Sequence, residues 1–339
     1  MGVNLDVFVR ALAYATFVLA LLTNALLILL ALKKTSRDFG AYKYIMLCFG
    51  LFNILYSLTE LLTQPAILLV ESSYMVYSDS YLSRYGWLCY LLLSIFMGMY
   101  GLSTILLAMH FFYRYILICK PRRRYFFYRV EWIILWIVIM LGWGSIYGLI
   151  AYYAYAPSEA FYEFARHEVL TQLDRNIDYL TFFCVFPYER IDGVTKVHWR
   201  YCLGLFCCIM MMIITVIVIV YCGVQTIRML RKACMSPKTL FLHKQLLKAL
   251  FAQAVLPFAF SYTPRFIMFF FTLMGIAGHS FYTFVPSAIT FYAFLDPLTN
   301  IYFNPDFKRT TVTLLRRYFC CHRDEARLHP QPTSNTVKY

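Results

Sequence analysis

The chain has 339 residues, of which 61% are hydrophobic and only 14% charged, with a net charge of +14. Soluble domains carry roughly a quarter charged residues, and a water-facing surface for this chain would be built largely of Leu, Ile and Phe, so a soluble fold is excluded and lipid is the expected solvent. The basic excess would suggest nucleic acid in a soluble protein; here the Lys and Arg residues fall between apolar runs, as in a membrane protein, and no nucleic-acid partner is expected.

A residue pattern for a cleavable signal peptide is absent: Asp6 and a single Arg10 precede the first apolar run, and that run is long enough to remain as a helix. A spanning helix needs about 20 mostly apolar residues. Seven runs meet this: 11–32, 44–70, 86–112, 130–156, 201–227, 247–274 and 281–303. The expected architecture is all-α, a seven-transmembrane bundle over 11–303. The second run holds Glu60, Gln64 and Pro65, so its upper end is expected to stop short of Val70. Pro257 and Pro264 lie in the sixth run and Pro297 in the seventh; membrane helices tolerate proline and kink at it, which makes the sixth helix the expected moving element.

Lys and Arg cluster on one side of the expected bundle. The gap after the first run has Lys33, Lys34, Arg37 and Lys43. The gap after the third has Arg114, Lys120, Arg122, Arg123, Arg124 and Arg129, and the gap after the fifth has Arg228, Arg231, Lys232, Lys238, Lys244 and Lys248. That side is expected to face the cytosol, which puts residues 1–10 outside the cell. The longest outer segment, 157–200, is expected to be either an irregular solvated loop or a hairpin turning at Asp192-Gly193 over the mouth of the bundle. Asn304-Pro305-Asp306 reads as a helix start, followed by Phe307, Thr311, Leu314 and Tyr318 at helical spacing with basic residues between. An amphipathic helix over 304–321 on the inner leaflet follows. Cys320 and Cys321 at its end are either palmitoylation sites or plain thiols, and 322–339 is polar and expected to be disordered.

Several motifs in a fixed order narrow the class. The third run ends Met109-His110-Phe111-Phe112-Tyr113-Arg114-Tyr115, then Cys119-Lys120-Pro121. Entry to the sixth reads His243-Lys244-Gln245-Leu246-Leu247-Lys248, then Gln253, Pro257 and Tyr262-Thr263-Pro264. The seventh ends Asp296-Pro297-Leu298, the first run is followed by Phe39-Gly40-Ala41-Tyr42-Lys43, and the second carries Glu60. From about residue 15 to 320 this set resembles the nematode serpentine chemoreceptors of the Str class. The resemblance implies a G-protein-coupled receptor for odorants or other small chemicals, coupled to a heterotrimeric G protein and displayed on the ciliary plasma membrane of sensory neurons. The pattern departs from class A receptors: Tyr113 stands where an acid usually precedes the arginine, and Asp296 replaces the Asn of the Asn-Pro motif. An outer disulfide of the kind common in class A receptors would join Cys89 to Cys184.

Within this frame Tyr113, Arg114 and Tyr115 are candidates for coupling, with a snorkelling, positive-inside role for Arg114 as the alternative. Asp296, next to Pro297, is expected to hydrogen-bond toward the first or second helix, with Asn24 a candidate, as a structural contact or a switch. Glu60 and Arg265 lie at similar depth and either pair beside a ligand, or Arg265 snorkels outward and Glu60 stays neutral against hydroxyls of the seventh helix. Met97, Tyr100 and Thr104 share a face of the third helix and line either a ligand cavity or ordinary packing. With no acid in the third helix, amine ligands are disfavoured. No HExxH, GxSxG or P-loop occurs, so catalysis is not expected. No cofactor or metal is expected, and the seventh run has no Lys for a retinal Schiff base. The rival reading is a ligand-gated channel or transporter.

Overall fold

A computed structural model describes residues 2–34, 42–71, 73–191, 194–232, 241, 247–248, 251–252, 254–276, 293–303, 307–313 and 316. Helices α1 (Gly2–Lys34), α2 (Tyr42–Thr63), α3 (Gly86–Cys119) and α4 (Val130–Leu149) form the first four spans. A π-helical turn, Ile150–Ala154, extends α4. Helix α5 (Glu159–Leu173) lies in the segment between spans. The fifth span is α6 (Trp199–Lys232) and the sixth is α7 (Ala254–Met274), which contains a π-turn at Phe258–Tyr262. Residues 293–303 are the described part of the seventh span, α8, and residues 307–313 form a further helical segment, α9. Six helices among the described residues are long and apolar enough to cross a bilayer.

Helix α3 runs through the centre, packed against α2, α4 and α6. Close approach to α4 depends on small residues, since van der Waals contact rather than the hydrophobic effect holds helices together in lipid. A Cβ at Gly98 would sit 3.0 Å from the Gly144 carbonyl oxygen, and one at Gly101 would sit 2.3 Å from the Tyr147 ring. Tyr147 fills the space thus left, with its ring edge-on to Tyr100 at 5.7 Å and its hydroxyl donating to the Cys208 carbonyl. The remainder of α4 presents exposed Ile133, Ile134, Val138 and Leu141, the surface expected against acyl chains.

Within the second run, 44–70, the helix stops at Thr63, short of Val70 as Glu60, Gln64 and Pro65 suggested. Proline disfavours helical backbone at the residue before it. Gln64 accordingly takes φ 40, while its N–H still donates to the Glu60 carbonyl. Pro65–Val70 is then a strand, β1, antiparallel to β2 (Ser73–Ser78), which pairs with β3 (Phe182–Val185) in the order β1-β2-β3. This small sheet is an addition to the helical architecture read from the sequence. The segment 157–200 is neither an irregular loop nor a simple hairpin. It holds α5, then β3, then a hairpin of β4 (Tyr188–Ile191) and β5 (Val194–Val197). The hairpin pairs Ile191 with Val194 as Asp192-Gly193 suggested, but α5 and the three-stranded sheet are what pack across the bundle end.

The sequence of α5 explains its seat. Ser158 caps it by accepting from the Phe161 N–H, and Asp174 at φ 53 ends it. Phe161, Ala165 and Val169, spaced by four, form the buried stripe. Phe161 meets Phe182 of β3 and Phe186 beyond it. Arg166 grips Asp178 with both nitrogens, at 2.6 and 3.0 Å, and Arg175 ties to Asp79 at 2.8 Å.

At the other end a second apolar cluster joins Leu27, Leu30 and Ala31 of α1, Met46 of α2, Tyr113 of α3, Ile301 of α8 and Phe307 of α9. The first residue of the expected amphipathic periodicity is therefore docked under the bundle. Cys320 and Cys321 lie outside the described residues, as do 322–339.

Candidate functional site

Two polar clusters lie in the bundle. The first gathers around Arg265 on α7, one residue after Pro264, which follows the π-turn closely. Proline has no N–H for the helical ladder, and the wider π-turn accommodates the break. Pro257 bounds that turn on its other side, so both candidate hinge prolines flank one distorted stretch.

Arg265 is 5% exposed. It does not snorkel to a headgroup. Its guanidinium lies over the Tyr100 ring of α3, with Cζ 3.4 Å from the ring centroid. The group also reaches the Tyr56 phenol of α2, which the charge of Glu60 influences as well. Nη1 is buried and has no hydrogen-bond partner among the described residues. Of the residues expected to face a ligand, Tyr100 and Arg265 are thus in direct contact. Thr104 is buried beside them; its carbonyl accepts from the Tyr262 hydroxyl at 3.3 Å, joining α3 to the π-turn of α7. Met97 is buried in the same core. Glu60 is half-buried and lies one helical turn after Tyr56 on α2; it accepts no hydrogen bond from Nη1. The Tyr100 hydroxyl points to Met212 of α6 at 3.6 Å.

Sequence reasoning missed Tyr56, Tyr147, Met212 and Tyr262. Two of these carried a signal. Tyr56 lies one helical turn before Glu60 and so shares its face, and Tyr262 belongs to the Tyr-Thr-Pro motif already noted. Nothing local marked Tyr147 or Met212, because their roles depend on which helices touch.

The second cluster spans α1, α2 and α8. Asp296, 1% exposed, accepts from the Asn53 amide at 3.0 Å. Asn53 also donates to Asn24 Oδ1 at 3.3 Å, and Asn24 donates to the Ala293 carbonyl at 3.1 Å. The expected partner Asn24 is therefore linked to Asp296 through Asn53, which contacts the carboxylate itself. Pro297 is buried beside it.

Further along α3, Tyr113 and Arg114 are both 3% exposed. A snorkelling Arg114 is ruled out by that burial: the side chain points into the bundle, near enough to His110 for its charge to act there. Tyr113 packs edge-on to Phe127 at 5.0 Å, and Tyr115 lies half-buried facing Tyr221 of α6 at 5.9 Å. Lys120, Arg122, Arg123 and Arg124 follow on an exposed 3-10 turn within Pro121–Phe127. Between this level and the π-turn, Phe111, Ile219, Gly223, Phe251, Ala254 and Phe258 line an apolar groove of about 430 Å³ along α3, α6 and α7.

The candidate disulfide between Cys89 and Cys184 is not formed. Cys89 and Cys184 are separate buried thiols. Cys184 donates toward the Tyr201 hydroxyl at 3.7 Å, and burial pushes its pKa up to about 12, so it stays protonated at neutral pH and is a poor partner for exchange. No group of His, Cys, Asp and Glu able to hold a metal occurs among the described residues.

With this geometry in hand, the chain was compared with known proteins. The family model described as Serpentine type 7TM GPCR chemoreceptor Str matches residues 9–312. Serpentine receptor class r-10 of Caenorhabditis elegans is 28% identical over 300 residues, covering 85% of this chain and 86% of its own. Its namesake in Caenorhabditis briggsae is 28% identical over 320 residues, 89% of each. G-protein coupled receptor str-33 of C. elegans is 26% identical over 271 residues, 78% of this chain and 79% of that one.

Proposed function

Because this chain belongs to the Str family of serpentine seven-transmembrane chemoreceptors, we propose that it binds a small environmental molecule beneath the three-stranded sheet and signals through a heterotrimeric G protein. Residues 1–10 face the outside, the basic turns and α9 face the cytosol, and the receptor works in the ciliary plasma membrane of sensory neurons. The observation that carries the reading is the contact between Arg265 and Tyr100. It joins the sixth span to the central third span on the sheet side of a π-turn flanked by two prolines.

The mechanism follows from that contact. A ligand shifts a conformational equilibrium only by its differential affinity for the two arrangements. A molecule that competes with Tyr100 or Tyr56 for the guanidinium changes what holds α7 against α3. The π-turn is the place where α7 bends, because its hydrogen-bond ladder is already interrupted there. Movement below the turn opens the apolar groove and uncovers Tyr113 and Arg114, and a buried guanidinium released in this way suits backbone carbonyls at a G-protein terminus.

The test is a reporter assay in cells with and without functional G protein, using a panel of volatile and water-soluble compounds. The expected result is a ligand-evoked calcium or cAMP response that needs the G protein. Ligand-evoked currents that persist without it would overturn the reading in favour of a channel.

A further inference from the structure

We infer that the ligand is a small organic carboxylate whose acidic head is received by Nη1 of Arg265; this rests on the proposed ligand position beneath the sheet. Three observations combine. The guanidinium is 5% exposed, so its charge has been taken from water. Its Cζ lies over the Tyr100 ring, 3.4 Å from the centroid, so the cation is already fixed in place on α3. Among the described residues its Nη1 has no acceptor.

Arginine stays protonated in proteins, so the cost of this burial is not relieved by proton loss. A buried charged donor without a partner is costly, and the in-plane edge of a guanidinium matches the two oxygens of a carboxylate. Glu60 does not fill this role at Nη1, which has no hydrogen-bond partner among the described residues. Beside the arginine stand Tyr56, Tyr100 and Tyr147, all buried, with Phe96 against Tyr56 at 5.3 Å. They suit an apolar tail and offer no second cation. The ligand this describes is a monocarboxylate with a short hydrocarbon body.

The experiment uses the purified full-length receptor in nanodiscs. Its thermal unfolding midpoint is followed against the straight-chain acids from acetate to octanoate and against their primary amides, which keep shape and lose charge. At least one acid is expected to raise the midpoint at about tenfold lower concentration than its amide, since one charge-assisted hydrogen bond accounts for a factor of that size. Arg265→Gln removes the charge and is expected to abolish the preference. Should that variant fail to fold, Arg265→Lys keeps a cation without the fork, and the preference should fall by about tenfold. The inference is overturned if no acid in the series shifts the midpoint, if acids and amides act alike, or if the preference survives in either folded variant. Acid binding that never produces a G-protein response would instead sink the receptor mechanism and leave this site standing. Signalling driven by neutral compounds, with no acid binding, would do the reverse.

Discussion

Arg114, Arg265 and Asp296 are formal charges buried among the described residues of the bundle, and each is held by a different device. Arg265 rests on an aromatic face, Asp296 on an amide, and Arg114 is enclosed near His110. The cost of burying a polar group depends on whether it keeps a partner. Asp296→Ala takes the carboxylate from the Asn53 amide and is expected to lower stability by about 1–3 kcal/mol. Asp296→Asn keeps an acceptor oxygen and should lose clearly less. Denaturation in nanodiscs checks this, and equal midpoints for the two variants would contradict the assigned contact. Gly101 offers a steric test: a Cβ there meets the Tyr147 ring at 2.3 Å. Gly101→Val should cost about 1–3 kcal/mol or more by overpacking, and combining it with Tyr147→Ala should recover part of that loss. Strict additivity of the two changes would count against the contact.

Elements respond as units. In α7 a π-turn lies between Pro257 and Pro264, and the proposed mechanism places the bending of the helix there. Pro264→Ala restores an N–H and favours a regular helix. Its expected phenotype is ligand binding close to wild type with a signal reduced several-fold, read by nanodisc binding beside the reporter assay; unchanged signalling would remove the hinge. At the sheet end, α5 is tied by Arg166 to Asp178. The hydrogen bond and charge of Arg166 hold the Asp178 carboxyl below its ordinary range. A depressed acid contributes its stabilisation above its unfolded pKa and loses it as pH falls through the folded one. Acidification from neutral pH into and below the carboxylate range should therefore lower the amide-exchange protection, measured against the intrinsic rate at each pH, at Ile177–Tyr179 and in the first turns of α5. Both groups are well exposed, so the effect is local and salt-sensitive. In Asp178→Asn the acid-dependent loss of protection should vanish; if it persists, another group controls α5.

For the whole molecule, the two clusters sit at different levels of one bundle. Tyr100 and Arg265 lie on the sheet side of the π-turn, and Asp296, Tyr113 and Arg114 gather toward the basic end. Helix α3 touches both levels, so movement of α7 against α3 is felt at each. This layout requires the basic turns to be cytosolic. An epitope on Tyr339 should stain only permeabilised cells, and one before Met1 should stain intact cells; the opposite pattern would remove the proposed route from ligand to G protein.

The seven spans were legible because lipid imposes one rule on every stretch of chain: about twenty apolar residues whose backbone hydrogen bonds are satisfied within a helix or closed barrel. The same rule made Pro65, Pro257, Pro264 and Pro297 readable as interruptions, and the basic gaps readable as one face. The family was legible because its motifs stand in order along the chain. What the sequence left open were contacts between segments far apart in it. Residues 65–70 look as apolar as a helix end and become a strand because Ser73–Ser78 lies alongside. Cys89 and Cys184 permit a bond by residue type, yet stay apart as thiols in the fold. Arg265 reads in the sequence as an outward, snorkelling cation or as half of an ion pair with Glu60; only the packing of α3 against α7 sets Tyr100 beside it and, among the described residues, leaves Nη1 without an acceptor. Local propensity and hydropathy add along a sequence, whereas a partner for a buried charge depends on three-dimensional neighbours, and that is the part the tertiary structure alone decided.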